Sequence, residues 1–197
     1  MRGGLRRWIV AGAVGTTLGV GSAALALWLM PGVGVERVGP WASNPLTGAR
    51  SADPYTRAFV ARVGILALNR SETIYFDARS DSEGRRLDAR CRYRLSGGPL
   101  PARWWSATVY AEDDFLPRND DRALSVDADS VTTGPDGRWS ATLSPERPSG
   151  GDWISTRQAG AFAVTLRLYL PEPAAAKDPT GLALPAIERL SCDGGAA

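Results

Sequence analysis

An uncharged apolar segment near the N-terminus constrains this chain more than any other feature. Residues 8–30 contain no charged side chain. In a helix that rises about 1.5 Å per residue, a segment of this length crosses a hydrocarbon layer about 30 Å thick. Three arginines and no acidic residue precede it. The positive-inside rule therefore predicts a cytoplasmic tail at residues 1–7, a membrane-spanning signal-anchor at 8–30, and the remaining chain outside the cytoplasm.

A cleaved signal peptide is the alternative for the same segment. Ala24-Leu25-Ala26 is an acceptable cleavage signature. The apolar run nevertheless continues through Met30, which is long for the apolar core of a signal peptide. The length favours an uncleaved anchor.

Small residues recur every four positions in the segment and would lie on one face of a helix. They are Ala11, Gly15, Gly19 and Ala23. Such a face lets two helix backbones approach closely, which predicts a homodimer through the membrane helix. Glycine and alanine are also frequent in membrane helices that do not pair, and this alternative stays open.

The net charge of +2 belongs to the N-terminal tail. The chain has 23 basic and 21 acidic residues, and residues 1–35 hold three arginines and no acid, which leaves 20 and 21 for the remainder. A near-neutral domain gives no support to a nucleic-acid partner.

The chain has no histidine and two cysteines, which excludes Ser-His-Asp and Cys-His catalysis and zinc sites that contain histidine. We predict no cofactor and no metal.

Residues 31–52 are rich in glycine and proline and predict an extended lead-in to a domain at 53–197. Asp53 is a favourable helix N-cap and Pro54 suits the first turn. Apolar residues at helical spacing predict a helix that continues to about Leu68. They are Tyr55, Phe59, Val60, Val63 and Leu66.

Beyond the helix the apolar period changes to two. Residues 87–95 alternate between apolar and charged side chains, which predicts a half-buried strand. Seven or eight strands follow from such patterns, near residues 72–79, 87–95, 103–111, 122–132, 138–143, 162–170 and 186–192. Residues 171–185 predict a surface loop. We predict a mainly β, antiparallel sandwich of jelly-roll type with one N-terminal helix, preceded by the membrane helix.

Ordered motifs between residues 37 and 192 resemble a bacterial family known as domain of unknown function 1214. The matching motifs are Gly39-Pro40-Trp41, Asn44-Pro45, Thr47-Gly48, Ala52–Ala58, Ile74-Tyr75-Phe76, Leu87-Asp88 with Cys91 and Tyr93, Arg103–Ser106 with Tyr110, Gly151-Asp152-Trp153, and Leu166–Tyr169 with Pro171. The resemblance implies a jelly-roll-like sandwich and no particular activity. Because the family is bacterial, the topology predicted from the apolar segment corresponds to the inner membrane, with the domain facing the periplasm. In longer members another domain of unknown function precedes this one, where the present chain has its membrane helix.

The two cysteines predict a disulfide between Cys91 and Cys192, because paired cysteines outside the cytoplasm usually join. Two buried free thiols are the alternative.

Three arginines alternate along one predicted strand and form an outward basic stripe, Arg90, Arg92 and Arg94. The stripe could bind an anionic glycan, lipid head groups or an acidic protein face. The competing interpretation is a solvated face paired with nearby acids such as Glu72, Asp77 or Asp88.

Several tryptophans in the domain suggest either an aromatic platform for sugars or core packing. Trp104 and Trp105 are adjacent on a predicted strand and must face opposite ways, so we expect at least one in the core. Acidic groups at 112–114, 120–121 and 127–129 lack the spacing of a calcium loop.

From the anchored sandwich and the absence of a recognisable catalytic set, the sequence predicts a non-catalytic envelope module that binds a protein or glycan. The alternative is a carbohydrate-active enzyme or accessory protein with paired carboxylates.

Overall fold

The computed structural model describes residues 2–29, 34–62 and 67–192. Its first element, α1 (Arg2–Leu29), contains a candidate membrane span at Gly4–Leu29, and no residue of the apolar window is buried in the described chain. The helix is long and apolar enough to cross a membrane, and a signal sequence would meet the same criteria. Met30, the predicted end of the span, lies outside the described residues.

Ten strands and two further helices follow in the described ranges. The helices are α2 (Pro54–Arg62) and α3 (Pro173–Lys177). The strands are β1 (Glu36–Val38), β2 (Trp41–Ser43), β3 (Thr73–Ala78), β4 (Cys91–Gly97), β5 (Ala102–Ala111), β6 (Ser125–Asp127), β7 (Trp139–Ser144), β8 (Asp152–Ser155), β9 (Phe162–Pro171) and β10 (Ala186–Cys192).

The strands form two sheets that enclose one core. The first sheet has the order β1-β2-β3-β9-β5-β6, and the second has the order β10-β4-β7-β8. Strand pairs are antiparallel except β7 and β8, which run parallel. Across the core, Trp105 of the first sheet stacks on Trp139 of the second with ring centroids 4.3 Å apart. The predicted mainly β, jelly-roll-like sandwich is confirmed.

Period-two alternation locates the core correctly. In β4 the residues Cys91, Tyr93 and Leu95 are buried and the arginines between them are exposed. β9 lies between β3 and β5, and its first five residues are buried. A central strand is covered on both sides by neighbours, so even its outward residues lose most of their exposure. This placement makes the outer face of the six-stranded sheet a partly sheltered surface.

Three strands were not predicted because they are too short to show alternation. β1 and β2 lie in the segment predicted as an extended lead-in, and β2 pairs with β3. Trp41 is 1% exposed, and its indole Nε1 donates a hydrogen bond of 2.7 Å to the Pro185 carbonyl. β8 has four residues and one sheet neighbour.

Two predicted elements have different bounds. β4 begins at Cys91 rather than at residue 87, because the Asp88 carboxylate accepts a hydrogen bond from the Arg90 amide and forms a turn. Asp53 caps α2 as predicted, by accepting from the amides of Tyr55 and Thr56 at 2.9 and 3.1 Å.

The described part of α2 ends at Arg62, and Leu68 is not helical. Val63 and Leu66, which were predicted to continue this helix, lie outside the described residues. The predicted loop at 171–185 contains α3 and a 3₁₀ turn at Pro179–Gly181.

Candidate binding surface

Five outward side chains form an aromatic–arginine surface on the six-stranded sheet. They are Tyr75 of β3, Trp104 and Tyr110 of β5, and Arg167 and Tyr169 of β9. Each is partly exposed, and their inward neighbours are buried in the core. Alternation along three adjacent strands thus places four aromatic rings and one cation on one face of the sheet.

Arg167 lies between two tyrosines. Its guanidinium donates a hydrogen bond of 2.8 Å to the Tyr110 hydroxyl. The guanidinium carbon is 5.4 Å from the Tyr110 ring centroid and 6.0 Å from that of Tyr75. These cation–π contacts fix the orientation of the side chain. Arg167 forms no ion pair with a described residue, and its charge acts on the nearby Asp77 carboxyl.

Trp104 and Tyr169 extend the surface beside Arg167. They are cross-strand partners, and their ring centroids lie 5.2 Å apart at a tilt of 54°. The Trp104 indole donates a hydrogen bond of 2.9 Å to the Asp129 carboxylate. The neighbouring residue Trp105 is 7% exposed. The expectation that at least one of the adjacent tryptophans is in the core is confirmed, and the other is on the surface.

Asp77 places a carboxyl group on the same face. Its cross-strand partner Thr165 donates a hydrogen bond of 2.5 Å from its hydroxyl to Asp77 Oδ1. Protein atoms surround this carboxyl, and its burial raises the pKa of Asp77 above the ordinary value. The Thr165 hydrogen bond and the charges of Arg79 and Arg167 oppose that effect without cancelling it.

We predict that Asp77→Asn removes a destabilising contribution that increases as pH rises above the unfolded-state pKa. A carboxyl whose folded-state pKa is raised loses stability as pH increases from the unfolded value of about 3.9 to the folded value. Asparagine keeps an acceptor for Thr165 and carries no charge. The free energy of unfolding of the variant relative to the parent should therefore be higher at pH 7 than at pH 3.5, as measured by denaturant titration. An unchanged difference between the two pH values would contradict this assignment.

Of the predicted basic stripe, Arg92 and Arg94 lie on β4 of the other sheet, whereas Arg90 lies in the turn before β4 and not on the strand. Arg90 forms a two-bond pair with Asp88 at 2.8 and 3.0 Å, and Arg94 is 3.5 Å from Glu188. Arg92 is exposed and has no ion-pair partner in the described chain. β4 lies between β10 and β7, so these arginines do not protect a sheet edge.

The other two acids named as partners of the stripe have different neighbours. Asp77 lies on the opposite sheet, and Glu72 accepts a hydrogen bond from Asn69.

Cys91 and Cys192 form a disulfide. They are directly opposite each other in the register of β4 and β10. The bond supports an oxidising compartment.

The small residues of α1 lie on a helix that the rest of the described chain leaves uncovered at Gly15 and Gly19. Dimerisation through Ala11, Gly15, Gly19 and Ala23 stays a prediction.

The acidic groups are occupied by local contacts. Asp127 accepts from the amides of Asp129 and Ser130, and Asp114 pairs with Arg79 at 2.6 Å. Within the described ranges, no three potential ligands among histidine, cysteine and the acidic residues converge on one point.

The aromatic–arginine surface was not predicted from the sequence as a site. Its signal was present in β9, where threonine, arginine and tyrosine alternate with buried aliphatic residues. The partners Tyr75 and Tyr110 lie on other strands, and only the register brings them to Arg167.

A family model described as protein of unknown function (DUF1214) matches residues 72–173. The VPA0106 protein from Vibrio parahaemolyticus has a similar fold, with a TM-score of 0.59, 20% identity, and coverage of 72% of this chain and 36% of that one. An uncharacterized protein from Burkholderia cenocepacia matches with a TM-score of 0.43, 21% identity, and coverage of 64% and 31%. This chain spans about a third of the length of these structures. Proteins with curated descriptions give no significant match.

Proposed function

Because this chain belongs to the family described as protein of unknown function (DUF1214), a description that assigns no activity, we propose a function from its surface. The protein is a non-catalytic glycan-binding module of the bacterial cell envelope, anchored by α1 in the inner membrane with its sandwich in the periplasm. The apolar helix and the disulfide support the location. The observation that carries the binding function is the aromatic–arginine surface.

The pairing of Trp104 with Tyr169 supports a sugar ligand. A pyranose ring has an apolar face of C–H groups and a periphery of hydroxyls, so it needs apolar contact and hydrogen bonds at one place. The two rings are partly exposed and fixed to each other at 5.2 Å. Aromatic rings supply much contact area with little loss of side-chain entropy, since only two torsions are ordered.

The polar groups beside the rings suit the hydroxyls of the same ligand. Arg167 has donors on a guanidinium that two tyrosines already orient. Asp77 and Thr165 lie on the same face, but Thr165 is buried and its hydroxyl is bonded to Asp77, so Arg167 is the polar group assigned to the ligand. A few fixed polar groups around apolar side chains are the usual composition of a small-molecule site. A protein partner would need a larger apolar patch than these five side chains provide.

The test is binding of the full chain in nanodiscs to an array of bacterial envelope oligosaccharides, followed by affinity measurements on the best ligand. We expect Trp104→Ala to weaken binding at least about tenfold, which corresponds to about 1.4 kcal/mol. Tyr55→Ala removes an exposed aromatic residue of α2 and should leave the affinity unchanged.

Three outcomes would overturn this proposal. If the Trp104→Ala variant bound the glycan with the affinity of the parent, the aromatic–arginine surface would be excluded as the binding site. Loss of binding on Arg92→Glu alone would move the site to the four-stranded sheet. Release of cleaved sugar from the bound glycan would favour an enzyme with paired carboxylates instead.

A further inference from the structure

A second concave site lies where the two sheets meet at an edge. The groove has a volume of about 430 Å³, which is within the range of about 300–1,000 Å³ that is typical of small-molecule sites. Its walls are the start of β6, the start of β8 and the Arg147–Gly151 loop before β8. The Ser155 amide donates a hydrogen bond of 2.6 Å to the Ala123 carbonyl and joins the two edges. None of the five residues of the aromatic–arginine surface lines this groove.

Two arginines without acidic partners face the groove. Arg122 and Arg147 both line it and are exposed, and neither forms an ion pair with any residue that the structure describes. Their neighbour Arg157 differs, because two hydrogen bonds bind its guanidinium to the Asp121 carboxylate. Asp121 is therefore bound to Arg157. The charge of Arg147 still acts on the Asp121 carboxylate, although neither groove arginine lies within ion-pair distance of a described acid.

Trp153 holds one of these cations in place. Its indole Nε1 donates hydrogen bonds of 3.0 and 3.1 Å to the carbonyl and hydroxyl oxygens of Ser144, which fixes the ring. The Arg147 guanidinium carbon lies 5.1 Å from the ring centroid. A guanidinium stacked on an aromatic ring keeps its N–H edge free for an anion.

The one carboxylate in the groove is also occupied. Asp152 accepts a hydrogen bond of 2.7 Å from the Thr132 amide and a weaker one of 3.5 Å from its hydroxyl. Two arginines and one aspartate give the lining a net positive charge. The remaining lining includes the hydroxyls of Ser125, Ser130 and Ser149, of which Ser130 Oγ already accepts a hydrogen bond of 2.9 Å from the Asp127 amide.

We propose that this groove binds an anionic saccharide, with the acidic group of the sugar between Arg122 and Arg147. The two guanidiniums supply charge-assisted hydrogen bonds to a carboxylate or phosphate. A lone anion would leave most of the 430 Å³ unfilled. The serine hydroxyls and backbone groups of the lining can pair with the hydroxyls of a sugar ring. This site does not depend on the proposed function, and either proposal can fail without the other.

The experiment measures binding of trigalacturonate, its neutral methyl ester and inorganic phosphate to the full chain in nanodiscs. We expect trigalacturonate to bind at least tenfold more tightly than either of the other two probes. Arg122→Gln and Arg147→Gln should each weaken trigalacturonate binding at least fivefold, and Arg147→Lys should weaken it less than Arg147→Gln. Arg138→Gln removes the same charge from an exposed arginine outside the groove and should have no effect.

Four results would overturn the proposal. Equal binding of the ester would show that the acidic group is not recognised. Equal binding of phosphate would show that the saccharide is not. An equal loss with Arg138→Gln would indicate non-specific attraction. Parent-like affinity of both groove variants, with parent-like unfolding midpoints, would exclude the groove.

Discussion

Replacing Asp81 with alanine is expected to lower the free energy of unfolding by about 2–3 kcal/mol, because hydrogen bonds to a charged group contribute about 1.5–3 kcal/mol. Asp81 lies in the loop between β3 and β4 and is 1% exposed. Its Oδ1 accepts from the amides of Glu83 and Arg85, and its Oδ2 is 2.9 Å from Arg85 Nε and 3.3 Å from Arg189 Nε. Arg189 belongs to β10, so this carboxylate connects the loop to an edge strand.

The contribution of Asp81 should depend on pH. Burial by itself would raise the pKa of Asp81, but the hydrogen bonds from Arg85 and Glu83 and the Arg85 charge outweigh it and lower the pKa. A lowered folded-state pKa gives stability that is present above the unfolded value of about 3.9 and is lost as pH falls through the folded value. The difference between parent and Asp81→Ala should therefore decrease at pH 2–3.

Denaturant titration of the full chain in detergent, followed by tryptophan fluorescence, measures both effects. Glu112→Ala is the matched control, because Glu112 is 2.8 Å from Arg86 but both side chains are 68% exposed. Exposed pairs contribute at most about 1 kcal/mol. A loss with Asp81→Ala no greater than that of the control would contradict the assigned role.

The double variant Cys91→Ser and Cys192→Ser is expected to lose about 4 kcal/mol of stability. The disulfide joins residues separated by 101 positions, and the chain-entropy model gives about 4.7 kcal/mol for a loop of about 100 residues, near the upper end of measured values. Among the strands that the structure describes, β10 pairs with β4 alone, so the bond fixes an edge strand to the body of the sandwich.

Unfolding midpoints with and without dithiothreitol test this expectation. The reductant should lower the midpoint of the parent and leave that of the double serine variant unchanged. Labelling of denatured parent protein with a thiol reagent, in the absence of reductant, should modify neither cysteine. Full labelling of both cysteines, or an unfolding midpoint of the parent that dithiothreitol leaves unchanged, would contradict the disulfide.

The sequence predicts the interior of this sandwich better than its surface. Burial imposes a period of two, so β4 and β9 can be recognised from their own residues. β1, β2 and β8 have three or four residues each, and such short strands depend on pairing with neighbours. Their existence is a tertiary property, which local patterns do not encode.

The candidate sites also divide into those that local sequence shows and those that depend on how strands pair. The disulfide could be predicted from the cysteine count and the expected compartment, because two cysteines allow one pairing. The basic stripe was visible in one strand, yet Asp88 and Glu188 pair with two of its members. The aromatic–arginine surface combines β3, β5 and β9, and the groove combines edges of both sheets. Sites assembled across strands require the register, which a single sequence does not specify.

The short connection between α1 and β1 limits where such a module can act. α1 ends at Leu29 and β1 begins at Glu36, and the six residues between them allow a separation of about 25 Å at most. With α1 in a bilayer, the sandwich samples only a thin layer above the lipid. Tethering raises the effective concentration of ligands within that layer and excludes those beyond it. A glycan bound as proposed would therefore have to lie close to the membrane.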